Sequence, residues 1–190
     1  HLVQSEFATL QEAFRLLPND LGFNIEIKYP SSNEIDQIPV YTHQPIDSFC
    51  DSILKCVFEN CEGRKIFFSS FNPEICLALK LKQDAFPVFI LTDGGYGMDS
   101  DCMSVRDAAK FAHAVGLDGI VCESKILISS TRILQYLKSL EIHVISYGEC
   151  NNFDEDIRIQ LDNGIDGVIV DRLRSVLPVI QGHRKKVALN

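Results

Sequence analysis

The sequence predicts an α/β protein with an all-parallel sheet closed into a β/α barrel, and three observations lead there. Six short hydrophobic runs alternate with segments of helical periodicity, so the repeating unit is strand, loop, helix. Polar residues recur where these runs end, at Glu26 and Lys28, Ser69 and Ser70, Thr92, Glu123, Tyr147 and Asp171, and the carboxyl ends of strands are where barrel active sites gather. The first run, Gly22 to Pro30, alternates Phe23, Ile25, Ile27 and Tyr29 with Asn24, Glu26 and Lys28. That is the period of a strand with one face on helices and the other on a barrel interior or cleft. A doubly wound six-stranded sheet is the other closure open to this pattern. It would be complete at 190 residues, whereas an eight-stranded barrel typically takes about 250 and would here lack two strands.

The first element is a helix from about Thr9 to Leu17, with Leu10, Phe14 and Leu17 on one face; Thr9 and Glu12 form a capping box, and Pro18-Asn19-Asp20 ends it. Strand 22–30 follows, and Pro30 stops its ladder. Residues 31–45 are polar, contain two prolines and lack steady periodicity, which predicts a long surface loop. Asp47 to Glu59 returns to helical spacing, with Phe49, Ile53, Leu54, Val57 and Phe58 as a broad apolar face. Lys65 to Phe71 reads as a strand, Pro73 to Lys82 as a helix N-capped by Asn72, and Pro87 to Thr92 as the next strand. The turn Asp93-Gly94-Gly95-Tyr96-Gly97 has neither the glycine spacing nor the Lys-Ser/Thr of a nucleotide cradle, so it reads as a loop. Helices at about 104–115, 130–140 and 154–163 then lead to strands at 119–122, 143–147 and 166–171, with Gly164 capping the last helix. Residues 174–190 read as a C-terminal extension of a single domain spanning 1–190.

Composition limits the function classes. With 46% hydrophobic and 23% charged residues the chain is globular rather than disordered. A net charge of -8 argues against a general nucleic-acid or anionic-membrane surface, and no apolar run reaches the length of a membrane span. Seven cysteines are scattered without a Cys-x-x-Cys pair, which is neither a zinc pattern nor a disulfide framework. They fit a reducing compartment, and a cytoplasmic location is the default expectation.

Glu26 and Lys28 are the pair to explain. A carboxylate at the carboxyl end of a strand can hold a hard divalent cation, and an ammonium two residues on can meet a phosphate oxygen. The other reading is an internal ion pair that merely keeps a barrel interior satisfied, since structural ion pairs imitate active sites.

Four segments carry a resemblance: GFNIEIKYP at 22–30, IFFSSFNPEICLALKLKQ at 66–83, FPVFILTDGG at 86–95, and VISYGECNNFDEDIRIQLDNGIDGVIVDRL at 144–173. In this order they resemble consecutive strand segments of the glycerophosphodiester phosphodiesterase family, and most of all its long eukaryotic, glycerophosphocholine-cleaving branch. The resemblance implies a (β/α)8 barrel of which this chain holds the third to eighth strands, the first two coming from the same or another chain. It implies divalent-metal-dependent hydrolysis of a glycerophosphodiester such as glycerophosphocholine to glycerol phosphate and an alcohol. On this resemblance Glu26 is a ligand to calcium or magnesium, and Lys28 lies near the substrate phosphate. Ser70 and Phe71 line the site, with the phenyl ring against the glycerol; Tyr147 stands where many relatives carry tryptophan, and Asn152 lines the mouth.

The family's His-Arg-Gly, Glu-x-Asp and His-Asp motifs are not in this sequence. His1, which Leu2 rather than Asp follows, reads as a linker residue; His43 falls in a loop, His113 on a helix, His143 at a strand start and His183 in the tail. The chain alone is therefore expected to be inactive, with catalytic groups elsewhere. The alternatives are a catalytically inactive regulatory or binding module that kept the barrel, as the resemblance to phosphate-signalling relatives implies, and a complete six-stranded domain of unrelated function.

Overall fold

The computed structural model describes residues 7–30, 44–95 and 103–187. His1, His43, Cys102, most of the loop expected over 31–45 and the end of the glycine-rich turn lie outside them. Six strands form one sheet: β1 (Phe23–Glu26), β2 (Ile66–Ser70), β3 (Val88–Thr92), β4 (Gly119–Glu123), β5 (His143–Tyr147) and β6 (Gly167–Val168). They lie in chain order, and every neighbouring pair is parallel. A doubly wound sheet reverses its strand order at a switch point. None occurs among the described residues, so the succession is that of a barrel wall. The first and last strands are shorter than the sequence predicts.

Helices α1 (Leu10–Leu16), α2 (Ile46–Asn60), α3 (Pro73–Lys82), α4 (Val105–Val115), α5 (Ser124–Ser129), α6 (Thr131–Ser139), α7 (Asp154–Asp162) and α8 (Leu173–Val187) accompany the sheet. Their starts follow local chemistry. The Thr9–Glu12 capping box forms in both directions, Asn72 caps α3 by accepting from the Glu74 and Ile75 amides, and Ser104 caps α4. Helix α5 was not expected, because six residues are too few to establish a period. Residues 174–187, within the stretch read as an extension, belong to α8, which buries Val176 and Val179 against Ile157 of α7.

Strand alternation separates two cores. Ile66, Phe68, Val88, Ile90, Ile120 and Val144 face the helices in the main core. Phe89, Leu91 and Val121 form a smaller inner cluster, joined by Phe67, Ile145 and Tyr147. At the amino end one device occurs twice. Asp118 accepts from the Val88 amide (2.9 Å) and Lys80 (3.1 Å), and Asp166 accepts from the Val144 amide and Lys138 (2.7 Å each). Each aspartate thus ties the strand it precedes to its neighbour and to the helix that leads into that neighbour.

Candidate functional site

At the carboxyl end of β1, alternation carries Asn24, Glu26 and Lys28 to the concave face, while Ile27 is buried in the helix-side core. Lys28 Nζ stands 3.8 Å from Glu26 Oε1, and the two side chains are 83% and 39% exposed. β1 is an edge strand among the described residues, so the pair's exposure is that of this chain by itself. The pair is long and bathed in water, where such pairs contribute between nothing and about 1 kcal/mol. Next to it, Ser69 Oγ donates to Asn24 Oδ1 at 2.9 Å, and Ser69 is the register partner of Glu26.

The expected site residues do not all meet. Phe71 and Tyr147 do: their ring centroids are 6.4 Å apart and perpendicular, and Tyr147 Oη donates to the Thr92 carbonyl at 3.4 Å. Ser70 does not join them. It is buried on the helix side, donates to the Ile27 carbonyl at 2.7 Å and accepts from the Asn72 amide at 3.1 Å. It ties the end of β1 to β2, and Ser69 is the serine that faces inward. Asn152 sits on the 3-10 turn Glu149–Asn152. Its Nδ2 donates to Asp171 Oδ2 at 2.9 Å, and its Oδ1 accepts from the Asp171 and Arg172 amides at 3.0 and 3.1 Å. Asn152 therefore holds the loop after β6 at the mouth.

Sequence reasoning passed over Asn151, which is fully buried. Its amide donates to the Ser146 and Ile169 carbonyls, each at 3.0 Å, and its Oδ1 accepts from Gln160 at 2.9 Å. This clip fixes the turn that carries Asn152. A polar pair Asn-Asn in the short turn after a strand was the available signal. The parity of Phe71 was likewise enough to assign Ser69 inward and Ser70 outward.

Among the described residues no group of three or more His, Cys, Asp or Glu side chains is placed to hold a metal ion. Glu26 offers one carboxylate, whereas calcium takes six to eight oxygens and magnesium a near-octahedral set. The described residues alone do not make a complete divalent site. Cys150 is a poor nucleophile: it is half-buried, and burial, then Asp156 and Glu123, push its thiol up. His143 lies at the amino end of β5, the far end of the sheet from Glu26.

The chain matches the glycerophosphoryl diester phosphodiesterase family model over residues 1–175. It is 43% identical to a glycerophosphocholine phosphodiesterase of Candida albicans and 40% identical to one of Eremothecium gossypii, in each case over 96% of this chain. It spans only 16% and 14% of those two proteins. A glycerophosphodiester phosphodiesterase of Arabidopsis thaliana is 34% identical over 90% of this chain and 45% of its own length. Among solved structures, an Oleispira antarctica phosphodiesterase in complex with sn-glycerol-3-phosphate superposes with a TM-score of 0.69 at 13% identity, covering 90% of this chain and 60% of that one. A glycerophosphodiester phosphodiesterase from Thermotoga maritima gives 0.61 at 20% identity, over 90% and 63%. These likenesses bear on the fold, which agrees with the sequential parallel sheet. With the family model covering nearly its whole length, the chain belongs to the glycerophosphoryl diester phosphodiesterase family.

Proposed function

We propose that this chain supplies one wall of the active site of an enzyme that hydrolyses glycerophosphodiesters, glycerophosphocholine among them, to glycerol phosphate and an alcohol. The observation that carries the reading is the placement of Glu26 and Lys28 side by side and in water at the carboxyl end of β1, in a chain matched by the family model. Glu26 would give one oxygen to a divalent cation, calcium or magnesium, whose positive charge would stabilise charge developing on the phosphoryl oxygens. The Lys28 ammonium would hold a phosphate oxygen. Phe71 would pack on the glycerol, Tyr147 would form the facing wall, and Asn152 would keep the loop after β6 in place. The remaining ligands and the proton-transfer groups would come with two further β/α units, from the same or another chain, between the edges of β1 and β6.

Among the described residues no helix is long and apolar enough to cross a membrane. The six described cysteines are free, and we place the protein in the cytoplasm on that ground. The test is release of glycerol phosphate from glycerophosphocholine by the full-length polypeptide with added calcium or magnesium, with this chain alone in parallel. Turnover by the full-length polypeptide that disappears in Glu26→Gln supports the reading. Binding of substrate without turnover would favour the inactive module instead.

A further inference from the structure

Strands β4 and β5 end side by side in Glu123 and Tyr147, which are register partners. Alternation puts both on the concave face, where Val121 and Tyr147 belong to the inner cluster with Phe89 and Leu91. Glu123 is half-buried, and among the described residues no hydrogen bond or ion pair engages its carboxylate. Lys125, the nearest cation in sequence, is exposed and does not pair with it. The carboxylate's place is kept by Gly148, at φ +111: a Cβ there would stand 2.6 Å from Glu123 Oε1. A side chain at 148 would have to displace the acid.

A carboxylate partly withdrawn from water and left unpaired is unfavourable by itself and becomes favourable when a cation arrives. Beside it the Tyr147 ring, met edge-on by Phe71, offers an aromatic face, which attracts cations within about 6 Å of its centroid. The chemistry selects among cations. A primary ammonium brings three N–H donors that each need an acceptor, whereas a quaternary ammonium brings none and asks only for charge and apolar contact. We propose that Glu123 and Tyr147 form a subsite for a quaternary ammonium headgroup on the alcohol side of the diester, with Phe71 fixing the plane of the tyrosine ring. The inference rests on the phosphodiesterase reading and assigns to Glu123 the recognition of the headgroup of the glycerophosphocholine proposed above. Lys28 takes the anionic part of the substrate across the mouth, and Glu123 takes the cationic part.

The test uses the full-length polypeptide, with glycerophosphocholine and the neutral-headgroup glycerophosphoglycerol as substrates and tetramethylammonium as the calorimetric probe. In Glu123→Gln the ratio of kcat/KM for glycerophosphocholine over glycerophosphoglycerol should fall about tenfold, and tetramethylammonium should bind more weakly by a similar factor. Tyr147→Leu should lower the same ratio. An equal loss for both substrates, or tetramethylammonium binding unchanged in Glu123→Gln, overturns the subsite while leaving the phosphodiesterase reading standing. If the unmodified protein hydrolyses neither diester but binds tetramethylammonium through Glu123, the subsite stands and the phosphodiesterase reading falls. Should Glu123→Gln fail to fold, competition in the unmodified protein decides: tetramethylammonium must inhibit glycerophosphocholine hydrolysis competitively, and its failure to do so removes the subsite.

Discussion

The rings of Phe71 and Tyr147 meet at a right angle with centroids 6.4 Å apart, although they stand at the ends of β2 and β5. On a flat sheet three steps of about 4.8 Å would separate those strands by about 14 Å. The contact therefore measures the curl of the sheet: six strands already bend far enough for side chains from non-adjacent strands to share one wall. The same curl brings Tyr147 Oη to the Thr92 carbonyl of β3. A concave mouth lined from several strands is what lets a barrel assemble a site from residues distant in sequence.

Strand β4 approaches β5 closely at its first residue, Gly119, where there is no room for a side chain. A Cβ there would meet the His143 carbonyl oxygen at 2.2 Å and Phe89 Cε1 at 2.6 Å, and the first of these is backbone of the neighbouring strand. Gly119→Ala should force β4 from β5 and cost about 3 kcal/mol or more, read as a lower urea midpoint or loss of folded protein. A variant with unchanged stability would contradict the close approach.

Arg64 joins the first helix to the barrel. It is buried and donates to the carbonyls of Phe14, Leu17, Pro18 and Leu21 and to Asn19 Oδ1, with its guanidinium 4.4 Å from the Phe23 ring centroid. Two of those carbonyls belong to the end of α1, which has few other donors in reach. Arg64→Met keeps the aliphatic stem and loses the donors, so unfolding should become easier by about 2–4 kcal/mol. Arg64→Lys should recover little, because an ammonium cannot span the acceptors of a planar fork. Full recovery by lysine would show that charge alone matters.

The sequence made most of the fold legible because repeated β/α units announce themselves twice, in hydrophobic runs and in caps. Thr9, Asn72 and Ser104 mark helix starts that the structure confirms to within a residue. The order of the strands was not legible, since 190 residues suit a doubly wound sheet as well, and only pairing excludes it. The site was legible in part. Glu26 and Lys28 stood out because charge replaced apolar residues on a strand, while Ser70, placed in the site by the family resemblance, faces the helices. Asn151, Arg64 and Gly148 leave no periodic trace, since each acts through contacts with backbone or side chains far along the chain or across a turn.

Thiol chemistry gives a pH prediction. Burial pushes the thiols of Cys76 and Cys122 up to about 12, above the value of 9.0 for a free thiol. The folded state then keeps protons that the unfolded state releases. The stabilisation is fully present below pH about 9 and is lost progressively as pH rises toward about 12. Native protein at pH 8 should resist alkylation at Cys76 and Cys122, and both should label on unfolding. Rapid labelling of either in native protein would refute their burial.

Strands β1 and β6 each pair on one side only among the described residues. Leu16, Leu17 and Leu21 are exposed near the first, and Ile169, Leu173 and Leu177 near the second. Open edges with apolar rims pair with other chains. This chain made alone should associate with rising concentration in sedimentation experiments, and co-expressed upstream strands should suppress the association. A monodisperse monomer that unfolds cooperatively would count against an incomplete barrel.

Glu26 separates the metal site from a structural ion pair. Were it there to neutralise Lys28, replacing it would strand an ammonium, and for a buried pair that costs about 3–5 kcal/mol. Here Lys28 is 83% exposed and 3.8 Å away, so water solvates the ammonium whether or not the carboxylate is present. Glu26→Gln should therefore shift the melting temperature of this chain in chelator little. If Glu26 gives an oxygen to a divalent cation in the full-length polypeptide, the same change removes an anionic ligand, and the stabilisation that added calcium or magnesium confers should vanish with the activity. Lys28→Met should act differently, weakening substrate while leaving the metal-induced shift in place, because the ammonium would meet phosphate rather than metal. A metal-induced shift that survives in Glu26→Gln would take Glu26 out of the metal site, and one lost equally in Lys28→Met would mean that the two side chains do not divide metal and phosphate between them.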